Sequence, residues 1–212
     1  QERGATGKAV MVLANTAGAV GQGPGTSSIL PRFAYVVVLW GPAAGFALGA
    51  LVLGCALRRS GTKYDLVLLY TKDVPPSTIE LLSKIWITRK VPYVEGHPDM
   101  YRSKGRFDGV FTKLHVLSLV QYDKVLMLDI DLAILNCPDG LFDLRAPAAM
   151  CRGQASASMP HGSWIDGRRF FAGSQGSSRQ EDFYEWGQSG GINAGVVLLA
   201  PSEFMYRLAL DE

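Results

Sequence analysis

Short apolar runs alternate with helical patterns from about residue 33 onward, and this alternation limits the folds open to the chain. Tyr35 to Leu39 reads as a strand, followed by a helix reaching about Arg59. Asp65 to Tyr70 reads as a second strand, and Ser77 as the N-cap of a helix over Thr78 to Ile87, where Ile79, Leu81, Leu82 and Ile85 have helical spacing. Val91 to Val94 is expected as a third strand, and Thr112 to Val120 as a helix with Leu114, Leu117 and Leu119 inward. Lys124 to Asp129 and Ile192 to Leu199 have the composition of buried strands. Strands that alternate with helices imply an α/β fold, a largely parallel sheet covered on both faces.

The rest of the chain sets boundaries on this reading. Residues 1–30 are rich in Gly, Ala, Ser and Thr, with Gly21 to Gly25 as a joint, and are expected to be a flexible segment ahead of one domain over 31–212. A Gly/Ser-rich stretch at about 151–190 reads as an insertion, and its aromatic residues, Trp164, Phe170, Phe171, Tyr184 and Trp186, argue against plain disorder. Ser202, just after Pro201, reads as the N-cap of a helix that has only started at Glu212, so further machinery is expected beyond the C-terminus.

Phe33 to Leu57 carries no charge and is long enough to test as a membrane span. Gly41-Pro42 interrupts it, and the β-branched run Val36 to Val38 favours strand, turn and helix over an anchor. With a net charge of +2 and scattered Lys and Arg, no nucleic-acid face is expected. Three cysteines, Cys55, Cys137 and Cys151, without CxxC spacing argue against a disulfide framework or structural zinc site, and fix no compartment.

The chemistry concentrates where Val125-Leu126-Met127-Leu128 runs into Asp129-Ile130-Asp131. On an extended segment the two carboxylates would face the same side. They stand at the C-terminal end of a strand, outside which α/β sheets hold their ligands. Paired carboxylates there suit a hard divalent cation, Mn²⁺ or Mg²⁺, which can neutralise phosphate.

The neighbours of this pair make the pattern more specific. Phe111-Thr112-Lys113-Leu114-His115, Tyr122 to Asp131, Asp139-Gly140-Leu141-Phe142-Asp143, Ala50 to Gly54 and Gly191-Ile192-Asn193-Ala194-Gly195 together resemble glycogenin-like members of glycosyltransferase family 8. The resemblance covers roughly residues 33–212 and implies a GT-A fold, Rossmann-like and incomplete at the C-terminus. It also implies a UDP-sugar donor, an acceptor it does not identify, bound Mn²⁺, and transfer with retention. Matched residue by residue, Asp129 and Asp131 resemble the metal pair, with Asp129 also near the donor ribose. Lys113 resembles the lysine facing the donor phosphates or sugar, and Asn193 the asparagine at the transferred sugar. Phe46 stands where glycogenin has a tyrosine beside the uracil. A homodimer is compatible with this reading.

Departures are also visible. Trp40-Gly41-Pro42-Ala43-Ala44 replaces the polar residues that follow the first strand in glycogenin, which leaves base recognition to backbone groups. The family's Asp-Gln pair and its later metal-binding histidine have no match before Glu212. His161, in the insertion, and His97, ahead of Pro98, read as loop residues, and His115 as a packing residue. Two rival readings remain open. One is a haloacid-dehalogenase-like phosphatase with Asp129 as nucleophile, although Ala133 stands where such enzymes carry Thr or Val. The other is a non-catalytic nucleotide-sugar binder or an inactive fragment.

Overall fold

The computed structural model describes residues 31–95, 109–151, 164–165 and 192–211. The segment 1–30, most of the insertion at 151–190, and His97 and His161 lie outside the described residues.

The uncharged stretch divides as its residues dictate: β1 (Phe33–Leu39), a turn at 40–43, and α1 (Ala44–Arg59). The chain turns at Gly41, whose φ of 79° is a conformation open to glycine and costly for most other residues. Among the described residues no helix is long and apolar enough to cross a membrane. β2 (Asp65–Tyr70) follows, then α2 (Pro76–Leu82), β3 (Ile87–Lys90), a 3-10 helix (Val110–Ser118) and β4 (Lys124–Leu128). A 3-10 turn (Asp139–Asp143), β5 (Ala148–Cys151), β6 (Trp164–Ile165), β7 (Ile192–Leu199) and α3 (Glu203–Asp211) complete the order.

The described strands form one seven-stranded sheet in the order β3-β2-β1-β4-β7-β5-β6. β1 to β4 are mutually parallel, and β7 runs antiparallel to both β4 and β5. β5 therefore shares the sense of the first four, and β6 pairs antiparallel with it, so five described strands run one way and two, β7 inside the sheet and β6 at its edge, run the other. Alternate residues of β1 serve two cores. Tyr35, Val37 and Leu39 join Leu53, Leu57 and Trp86 beneath the helices, while Ala34, Val36 and Val38 join Val116, Leu119 and Val125 on the other face.

Three sequence expectations need correction. α2 starts at Pro76 and ends at Leu82, not at Ile87, because Trp86 turns inward and its indole N–H donates to the Ala50 carbonyl (3.1 Å). The third strand is Ile87–Lys90, not Val91 to Val94; Val91 only adds one hydrogen bond to Tyr70 (2.8 Å). The segment after Gly109 is a 3-10 helix, so its inward residues follow a period of three: Thr112 and His115, with Val116 and Leu119, while Leu114 and Leu117 are half-buried.

A polar clamp ties the segment after β4 to β1 and to the loop between α1 and β2. Tyr35 Oη (2.7 Å) and Thr62 Oγ1 (2.5 Å) both donate to Asp139 Oδ1. Burial, reinforced by the Asp139 carboxylate, pushes the Tyr35 hydroxyl well above its ordinary pKa, so it stays a donor. Lys124 Nζ donates to the carbonyls of Phe142 (2.7 Å) and Leu144 (2.8 Å), closing the exposed end of the 3-10 turn.

Candidate functional site

β1 is flanked by β2 on one side and β4 on the other, so the strand order reverses between β1 and β4. At such a switch point the loops leave the sheet in opposite directions and open a crevice beyond the C-terminal strand ends. A cavity of about 660 Å³ lies there. Its walls come from the end of β1 (Val38, Leu39, Trp40), the first turns of α1 (Gly45, Phe46, Leu48, Gly49, Val52), the 3-10 helix (Val110, Lys113) and the segment Leu128 to Ala133.

Asp129 and Asp131 both line this cavity. The chain leaves the sheet at Leu128 and turns at Ile130 and Asp131, so the alternation of an extended strand is not what aligns them. The Asp129 N–H donates to the Gly195 carbonyl on β7 (2.8 Å), which fixes the start of the turn. The turn is pressed from the other side by α1, where a Cβ on Gly49 would stand 2.9 Å from the Ile130 carbonyl oxygen. Only glycine lets the helix backbone come this close to the peptide between the two aspartates.

Lys113 Nζ donates to Asp129 Oδ1 at 2.5 Å, in a pair with 19% and 38% side-chain exposure. The lysine projects from the 3-10 helix one turn beyond Val110, so both reach the same cavity. Phe46 is 49% exposed and is a wall of the cavity, not a core residue. Leu48 and Val52 are likewise exposed to the cavity. Sequence reasoning placed these two in the helix without giving them this role. The signal was the uncharged circumference of α1 up to Arg58, which packing on one sheet face does not require. Trp40, noted only as a departure, is a wall as well.

Asn193 lies near the start of β7, opposite Met150 on β5. The structure places its backbone in the strand that carries Gly195, two residues before the carbonyl that holds Asp129. His115 is buried: its Nε2–H donates to the Pro92 carbonyl (2.9 Å) and its Nδ1 accepts from Tyr206 Oη (2.6 Å). It is a packing residue, as expected. Beside the β1 turn, Thr71 and Tyr93 donate to Asp73 (2.5 and 2.8 Å). Against the upward pull of its slight burial, these bonds and the Gly41 backbone hold the Asp73 carboxyl below the usual carboxylate range.

The donor chemistry of the cavity suits a divalent cation that shares its coordination with a substrate. Two carboxylates are a typical protein contribution when phosphate oxygens and water supply the rest. Among the described residues no group of three or more His, Cys, Asp or Glu forms a fuller set.

No family model matches the chain. It is 37% identical over 176 residues to an uncharacterized protein of Acanthamoeba polyphaga mimivirus, covering 82% of this chain and 57% of that one. It is 31% identical over 128 residues to human glycogenin-2, covering 57% of this chain and 23% of glycogenin-2. The chain thus spans little more than half of the first relative and less of the second. Among solved structures, an active-site mutant of the galactosyltransferase LgtC superimposes with a TM-score of 0.50 at 15% identity, over 81% of this chain and 58% of that one. That likeness identifies the fold as GT-A. Over about half its length the chain is similar in sequence to a glycogenin, and its fold is GT-A, so what it resembles is the glycogenin-like glycosyltransferases of family 8.

Proposed function

We propose that this domain transfers a hexosyl group, with retention, from a UDP-sugar bound in the β1/β4 crevice to an acceptor, with a divalent cation at Asp129 and Asp131. The observation that carries the reading is that one cavity has two kinds of lining. Lys113, Asp129 and Asp131 supply charge, and Trp40, Phe46, Leu48 and Val52 supply apolar surface. A nucleoside diphosphate calls for both, with a flat base and a charged diphosphate.

When bound, Mn²⁺ or Mg²⁺ would act as a Lewis acid that offsets the charge building on the departing diphosphate. Asp129 and Asp131 would hold it. Lys113, paired with Asp129 in the free protein, would meet the same phosphates and place its ammonium where negative charge develops. Trp40 and Phe46 give the base a face to stack on, which leaves hydrogen bonding of its edge to backbone groups. Asn193 would orient the transferred sugar from β7. A same-face departure and attack accounts for retention without an enzymic nucleophile.

The phosphatase reading gains no support from a glycogenin relative and a GT-A fold. The test is Asp131→Asn, assayed for release of UDP from UDP-hexoses with graded Mn²⁺. Loss of activity with a shifted Mn²⁺ requirement is expected. Unchanged transfer and unchanged Mn²⁺ dependence would overturn the proposal, and metal-dependent UDP binding without any turnover would favour a non-catalytic binder.

A further inference from the structure

The 3-10 helix that presents Lys113 is a weak platform. It runs for nine residues, although 3-10 geometry seldom extends beyond three or four, and its N-cap, Gly109, offers no side-chain bond. Something outside the segment must hold it. Its period of three separates two tasks: Val110 and Lys113 face the cavity, while Thr112 and His115 are buried on another side. That buried side is where the fastenings are. Thr112 Oγ1 accepts from the Val94 N–H (3.3 Å), His115 spans from the Pro92 carbonyl to Tyr206, and the Leu117 carbonyl accepts from the Ser202 N–H (3.0 Å).

Two of these three fastenings come from the start of α3. That helix is poorly buried: Phe204, Met205, Leu208 and Leu210 are exposed, and Tyr206 reaches inward to the histidine. The bond has a defined direction. Because Pro92 offers only a carbonyl, Nε2 carries the proton, so Nδ1 must accept from the tyrosine hydroxyl. Burial and the nearby Glu203 raise the Tyr206 pKa, which keeps the hydroxyl protonated, and burial lowers that of His115, which keeps the ring neutral. Arg89 is the other charge facing this couple.

We infer that His115 and Tyr206 are positioning residues for Lys113, coupling the seating of α3 to the geometry of the Lys113–Asp129 pair. The inference rests on the reading of Lys113 as a diphosphate-binding lysine. Neither residue lines the cavity, so any effect on donor binding must pass through the 3-10 helix.

The test is a double-mutant cycle read by calorimetric titration of UDP in the presence of Mn²⁺, using the whole chain and the variants Tyr206→Phe, Lys113→Met and both together. Tyr206→Phe deletes one oxygen, and a neutral hydrogen bond governs an equilibrium by a factor of about 3 to 10. The expected result is UDP binding weakened by about that factor by Tyr206→Phe alone, and by less than about twofold once Lys113 is already Met. Thermal melts follow the purely structural effect, which should be the same in both backgrounds. If Lys113→Met weakens UDP and Tyr206→Phe does not, or weakens it equally in both backgrounds, the inference fails while the donor-site reading stands. If Lys113→Met leaves UDP binding unchanged, the reading and the inference fail together.

Discussion

Gly49→Ala tests how the carboxylate turn is held. In an exposed helix interior this substitution stabilises by about 1 kcal/mol. Here the new Cβ would lie 2.9 Å from the Ile130 carbonyl oxygen, with Ile130 Cβ at 3.5 Å and its carbonyl carbon at 3.6 Å. The oxygen must retreat by roughly half an ångström to reach ordinary contact, and overpacking of this kind costs about 1–3 kcal/mol. Gly45 supplies the control on the same helix, since nothing lies within 4 Å of its Cβ position. Gly45→Ala should gain about 0.5–1 kcal/mol. Gly49→Ala should range from neutral to about 2 kcal/mol less stable, with weaker Mn²⁺-dependent UDP binding because the displaced peptide joins the two aspartates. Urea denaturation and calorimetry on the two variants measure both effects. A Gly49→Ala protein that gains as much stability as Gly45→Ala and binds UDP unchanged would refute the argument that α1 sets the turn.

Four further outcomes are expected. Gly54→Ala should lose about 1–3 kcal/mol in urea denaturation, because the added Cβ would stand 2.5 Å from the buried Trp86 Nε1. Asp139→Ala should cost about 1–3 kcal/mol by leaving the buried Tyr35 hydroxyl without its acceptor, whereas Tyr35→Phe combined with Asp139→Ala should cost less than the sum of the single changes. Burial, with Arg89 nearby, lowers the His115 pKa from the ordinary 6.5, so the unfolded chain binds this proton more readily. Its contribution to stability is complete above pH about 6.5 and falls away as the pH drops below that value towards the folded pKa; denaturation midpoints between pH 7.5 and 5.5 should fall further for wild type than for His115→Gln. Finally, Lys113→Met removes the cation that competes for Asp129, so Mn²⁺ alone should bind more tightly while UDP with Mn²⁺ binds less tightly; calorimetry showing both shifts in the same direction would contradict the roles given to this lysine.

Much of the fold was legible because the sheet centre is buried on both faces. β1, α1, β2, β4 and β7 follow from continuous apolar runs, and β7 matches its expected bounds of Ile192 and Leu199. The errors fall where another force competes with local pattern. β3 is an edge strand of mostly exposed residues, Ile-Thr-Arg-Lys, and has no apolar run to reveal it. The preceding helix stops early because Trp86 finds space against Gly54, a contact between residues 32 apart in sequence. The Lys113 segment keeps an apolar pattern that fits either a 3.6- or a 3-residue period, and only its packing chooses. In the candidate site, Asp129, Asp131 and Lys113 were visible as residue types in order. The Gly49 contact, the Gly195 carbonyl and the Tyr206 bond were not, since each joins distant segments through backbone atoms or a single hydroxyl.

The central claim is that one crevice binds a nucleoside diphosphate through a cation held by Asp129 and Asp131. Its most direct test is calorimetric titration of UDP into the wild-type chain and into Asp131→Asn, each with and without Mn²⁺. The account predicts that Mn²⁺ strengthens UDP binding to wild type by roughly ten- to a hundredfold, the scale on which metal sites respond to loss of support, and that Asp131→Asn removes most of that gain. UDP affinity that is the same with and without Mn²⁺, or a Mn²⁺ gain that survives in Asp131→Asn, would contradict it.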